Sequence, residues 1–92
     1  MPFSGTRQDV ADVVIDVISA IQHNPTIVEA TAFGQDIMVD GLARRNYAGP
    51  IIKTLGQRFP GTVVTRFDAD VCERASRVRE IVDSLWGELQ PQ

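Results

Sequence analysis

The stretch from Thr6 to Pro25 constrains the fold more than any other feature of this chain. Val10, Val13, Val14, Val17, Ile18 and Ile21 recur at i, i+3, i+4, i+7, i+8 and i+11. That spacing lays apolar side chains along one stripe of an α-helix, which must be buried against other elements. Thr6 followed by Asp9 has the form of a capping box with Asp in place of Glu. Asn24-Pro25 ends the run, because the residue before a proline avoids the helical region. The expected helix covers about 7–22 and is too short for folds built on one very long first helix, such as that of the chorismate-mutase-like enzymes. No clustered catalytic set accompanies it, so the chain reads as a non-enzyme.

The rest of the chain fits a single domain, 1–92, with an ordered core over about 7–88. Residues 24–40 form a long connection with one expected helical turn at Thr26–Ala30, pinned by Phe33, Ile37 and Val39. Leu42–Phe59 is helical in composition with Gly49-Pro50 in its middle. Either the helix kinks there or Pro50 opens a new one. Ile51, Ile52, Leu55 and Phe59 give that segment an apolar face. Thr62–Phe67 reads as an extended loop, Asp68 as the N-cap of a short helix over Ala69–Arg74, and Ser76 as the cap of the last helix. Val78, Ile81, Val82, Leu85 and Trp86 form the apolar face of that helix, and Leu89–Gln92 reads as a frayed tail. The expected class is all-α, a small four-helix bundle with a long loop between helices 1 and 2.

Composition removes several chemistries. Cys72 is the only cysteine and His23 the only histidine. An intrachain disulfide, a Cys-x-x-Cys zinc site and a site needing two imidazoles from one chain are therefore excluded. The start, Met1-Pro2-Phe3-Ser4-Gly5, lacks a signal pattern, no apolar run has the length of a membrane span, and the expected location is cytoplasmic. Charge is unevenly spread. Residues 1–43 hold one base, Arg7, against six acids, a net of −5. Residues 44–92 hold eight bases and six acids, a net of +2. Gly41 to Phe67 contains no acid but has Arg44, Arg45, Lys53, Arg58 and Arg66.

Two stretches carry a resemblance. Thr31-Ala32-Phe33-Gly34-Gln35-Asp36-Ile37-Met38-Val39-Asp40-Gly41-Leu42 is similar to the loop of the acyl and peptidyl carrier proteins, where a phenylalanine precedes an Asp-Ser-Leu triplet opening helix 2. Asp68 to Leu85 resembles that family's short third helix and the start of its last one. The resemblance covers about 7–86 and implies an acyl-carrier-protein type of bundle. It also implies a role in fatty acid, polyketide or nonribosomal peptide biosynthesis, with the enzymes of such a pathway as partners. The family's serine bears phosphopantetheine, whose thiol does the chemistry. The matching triplet here is Asp40-Gly41-Leu42, and Gly41 has no hydroxyl. No serine lies between residues 20 and 75, so a shifted register does not restore the site. Asp83-Ser84-Leu85 spells the triplet but falls inside the last helix.

Three origins fit Gly41: a natural loss of the attachment site, an engineered Ser-to-Gly change, or a turn glycine after Asp. No cofactor is expected, and phosphopantetheine is implied only if the native residue is Ser. The expected partner-binding set is Asp40, Leu42, Arg44, Arg45, Ile51 and Ile52, a basic surface that repels partners built for an acidic carrier. Asp36 and Asp40 read as loop caps, Cys72 as a small core residue, and Tyr47 and Trp86 as packing residues. His23 suits the negative end of the first helix dipole. Arg74, Arg77 and Arg79 interleave with Glu73, Glu80 and Asp83, a pattern of salt-bridged solvation. The alternative function is a small helical DNA-binding regulator using Arg44, Arg45 and Arg58. A pI near 4.9 weighs against nucleic acid as a partner.

Overall fold

A computed structural model describes residues 3–89. Its first helix, α1, spans Arg7–Gln22 and starts with the capping box in place: Thr6 accepts from the Asp9 N–H while Asp9 accepts from the Thr6 N–H. Val10, Ala11, Val13, Val14, Val17 and Ile18 are buried. Ile21, at 37% exposed, falls outside that face. His23 ends the helix in the left-handed region at φ 52°. The Asn24 N–H reaches the Ser19 carbonyl across six residues, a closure that satisfies otherwise orphaned carbonyls.

The second helical run is continuous but changes pitch. α2 spans Gly41–Arg44, a 3-10 turn spans Arg45–Tyr47, and α3 spans Ala48–Arg58. Pro50 is the third residue of α3, so a new α-helix opens two residues before it, after the 3-10 turn that interrupts the run. The missing N–H of Pro50 falls in the first turn, where that donor has no intrahelical partner. The tighter 3-10 turn sits just where the ring would crowd the carbonyl four residues back. α4 (Ala69–Arg74) is capped by Asp68, which accepts from the N–H groups of Asp70 and Val71. α5 spans Val78–Leu89.

α1 packs on α5 and α3, and α2 packs on α4, with the 3-10 turn touching α1 and α4. The fold is all-α, and no strand occurs among the described residues. A single core runs from Phe3 through α1, Tyr47, Ile51, Leu55, Phe67 and Cys72 to the inner face of α5. No described helix is long and apolar enough to cross a membrane.

The loops are held by named contacts. The expected helical turn at 26–30 is absent, with turns at 25–26 and 29–30 and irregular backbone between them, and Thr31 accepts from the Val28 N–H. The first turn of α5 is then fed by this loop: Val78 N–H donates to the Thr31 carbonyl and Arg79 N–H to the Glu29 carbonyl. Ser76 is not the cap that the sequence suggests. The Glu80 carboxylate instead accepts from the Ser76 and Arg77 N–H groups. Residues 62–67 form the expected extended loop, clamped by Glu88, whose carboxylate accepts from the Thr65, Arg66 and Phe67 N–H groups. Partial burial works against that charge, yet the backbone donors hold the Glu88 carboxyl below its usual range.

The ends also differ from expectation. Phe3 is buried, its ring 4.9 Å from that of Phe59 and 6.3 Å from that of Trp86. The core therefore starts before residue 7. Of the expected tail, Leu89 is the buried last residue of α5. Residues 90–92 lie outside the described range, as do Met1 and Pro2.

Candidate functional site

Of the residues singled out in the sequence, Asp40, Gly41, Leu42 and Arg44 lie at the head of α2, with Arg45 just after it and Ile51 and Ile52 in α3. Asp40 is the N-cap of α2 and accepts from the Ala43 N–H at 2.8 Å. Asp36 accepts from the Ala32 N–H at 2.8 Å. Both carboxylates therefore do local capping. Phe33 and Ile37 pack against the core, and Val39 is buried within it, which pins the loop immediately before α2.

Gly41 occupies the first position of α2. Its φ is not positive, so backbone freedom is not what the glycine supplies. A Cβ at this position would meet Glu73 Cγ at 3.1 Å, the Glu73 carbonyl oxygen at 3.5 Å and an Arg44 guanidinium nitrogen at 3.6 Å. The missing side chain lets α2 approach α4 closely. Any larger residue here requires Glu73 to give way.

Arg44 makes that approach rigid. Its Nε donates to the Cys72 carbonyl at 3.1 Å, Nη1 to the Val39 carbonyl at 2.7 Å and Nη2 to the Glu73 carbonyl at 2.6 Å. The guanidinium also stands 5.0 Å over the Phe33 ring. A planar fork of donors suits such a task. Two of the acceptors are carbonyls in the last turn of α4: that of Cys72 also accepts from the Ala75 N–H, and that of Glu73 has no other backbone partner among the described residues. Arg45 pairs with Asp70 and Glu73 on the same helix. The hydrogen bonds that Arg45 donates to Asp70 and then to Glu73 raise its already high pKa, and Arg45 in turn lowers the Asp70 carboxyl.

Several expected docking residues are thus committed within the fold. Arg44 and Arg45 hold α4, and Arg58 pairs with Asp16 of α1 at 2.8 Å. Ile51 is wholly buried and belongs to the core, so it does not face a partner. Ile52, its neighbour, turns outward at 36% exposed. Leu42 is 74% exposed and Met38, which the sequence reading passed over, is 85% exposed. Met38 also lines a shallow hollow of about 320 Å³ with Gly34, Val39 and Asp40. The signal that would have found Met38 is its place between buried or half-buried Ile37 and Val39 in a loop otherwise pinned by alternate residues.

Two buried groups lie behind this surface. Tyr47 and Cys72 are both wholly enclosed, and burial pushes each ionisation up to about 12. A thiol so shielded is a core residue, not a nucleophile. Among the described residues no group of three or more His, Cys, Asp or Glu side chains is placed to hold a metal ion. Compared with models of known families, with curated proteins and with solved structures, the chain matches none of them.

Proposed function

We propose that this chain is a carrier-like helical domain with no prosthetic arm at the usual position. It acts by docking on enzymes of a carrier-dependent pathway of fatty acid, polyketide or nonribosomal peptide biosynthesis, in the cytoplasm. The observation that carries the reading is the head of α2. A capped helix start follows a long pinned loop with Phe33, as in the family's attachment site. The position matching the family's serine is Gly41, where an added Cβ would press on the Glu73 side chain, while Met38 and Leu42 on either side are exposed. A surface that keeps the apolar rim but offers no hydroxyl at the tether position suits protein contact without thioester chemistry. The alternative of a DNA-binding regulator gains no support, since Arg44, Arg45 and Arg58 are all spent on protein acceptors.

The test is intact mass after incubation with a broad-specificity phosphopantetheinyl transferase and coenzyme A. The wild-type protein should gain no mass, and a gain of one arm overturns the proposed loss. A Gly41→Ser/Glu73→Ala variant restores the hydroxyl and clears its space. It should gain one arm, while Gly41→Ser alone should react more slowly. If the double variant keeps its helical circular dichroism and stays unmodified, the carrier frame is wrong.

A further inference from the structure

The corner between α4 and α5 carries Arg74, Arg77 and Arg79, all exposed. In the sequence their charges look compensated by neighbouring acids. In the fold those acids have other partners, and Asp70, one turn before Arg74 on α4, hydrogen-bonds Arg45 while lying near enough to feel the charge of Arg74. Glu73 pairs with Arg45, Asp83 pairs with Arg7, and Glu80 receives the backbone N–H groups of Ser76 and Arg77. Glu29, on the facing loop, also pairs with Arg7, and Asp36 accepts from the Ala32 N–H. Arg77 spends one N–H on the Ala30 carbonyl at 2.7 Å. The guanidinium groups of Arg74 and Arg79 have no side-chain hydrogen bond and no ion pair among the described residues.

This corner is continuous with the head of α2. The Phe33 N–H donates to the Ser76 carbonyl at 2.9 Å, and Ala32 pairs with Arg77 in an antiparallel bridge. Glu73, next to Arg74, is the residue that an added Cβ at Gly41 would press on. We infer that the arginine corner and the exposed Met38–Leu42 rim form one docking surface for an acidic protein segment. Partner carboxylates would meet Arg74, Arg79 and the unspent edge of Arg77, and an apolar partner side chain would cover Met38 and Leu42. The inference rests on the docking part of the proposed function and not on the carrier frame.

Charge selects a protein segment over nucleic acid. The chain carries a net charge of −3, so a long phosphate backbone is repelled by the acidic N-terminal half. A short acidic segment confined to the corner avoids that field, and its apolar side chains match a rim that phosphate does not.

The experiment follows backbone amide shifts of the ¹⁵N-labelled protein during titration. The probes are a short glutamate-rich peptide with a central leucine, its lysine-for-glutamate counterpart, and a short DNA duplex. The acidic peptide alone should shift amides at 74–79 and 38–42, and added salt should weaken it. Arg74→Glu/Arg79→Glu should lower its affinity by roughly tenfold or more, and Arg74→Gln/Arg79→Gln by less. Arg58→Gln should leave it unchanged. The inference is overturned if the acidic peptide produces no shifts at the corner. It is equally overturned if the duplex or the basic peptide binds as well, or if Arg58→Gln weakens binding as much as the corner variants. The mass assay on Gly41→Ser/Glu73→Ala reads the carrier frame separately.

Discussion

Tyr47 shows most clearly what a single residue decides here. Its ring is fully enclosed, with the Phe33 ring centroid 6.1 Å away. Its hydroxyl is buried and has no hydrogen-bond partner in the structure. A buried polar group left unpaired carries its full desolvation cost, whereas the ring itself contributes packing. Tyr47→Phe removes the hydroxyl and keeps the ring. It should stabilise the protein by about 1 kcal/mol, seen as a higher urea midpoint with an unchanged slope. A lower midpoint would mean that the hydroxyl is satisfied in solution. Gly41 makes the complementary point, since a Cβ there would stand 3.1 Å from Glu73 Cγ and ask that side chain to shift.

Among the elements, the joint between α2 and α4 is where two adjacent arginines separate in role. Arg44 is half-buried and satisfies three backbone carbonyls on two segments. Arg45 is more exposed and meets carboxylates that water also solvates. Removing Arg44 leaves those carbonyls short of a charged donor, so Arg44→Ala should cost about 2–3 kcal/mol. Arg45→Ala should cost clearly less. Urea unfolding of both variants checks the order, and a larger loss in Arg45→Ala would refute this account of the joint. The same joint shows what was legible in the sequence. The apolar stripe of α1, its capping box and the Asp68 cap are set by neighbours within a few residues, and their pattern survives without tertiary knowledge. Arg44 acts on carbonyls 28 and 29 residues away, and no local pattern distinguishes a cation that caps a distant helix from one that faces a partner. Ile51 was legible only in part. Its spacing to Ala48 and Leu55 places it on their face, but Ile52 has equally good helical spacing to the same two residues, so only the fold shows which of the pair turns inward. Ser76 lost its expected capping role because the loop carbonyls of Thr31 and Glu29 take the Val78 and Arg79 N–H groups that it would have capped.

For the molecule as a whole, the decisive property is that one core joins α1, α3, α4 and α5, and that it encloses two protons. Tyr47 and Cys72 lie in the same cluster as the inner faces of α1, α3 and α5. Burial raises the thiol from 9.0 and the phenol from 10.0, each to about 12. Both groups are neutral in the fold, and the unfolded chain releases their protons first. Their contribution is therefore fully present below pH 9 and is lost as pH rises from there through about 12. Because the core is continuous, this loss should destabilise those helices together and not melt one element alone. Wild-type stability, measured by urea unfolding with circular dichroism, should fall steeply across that interval. Fluorescence of Trp86, packed against Phe3 at the far end of the core, should follow the same transition. A Tyr47→Phe/Cys72→Ala variant should show a shallower alkaline slope, whatever its stability at neutral pH. Equal slopes would mean that neither proton is held by the core, and non-coincident probes would mean that the core is not one cooperative unit.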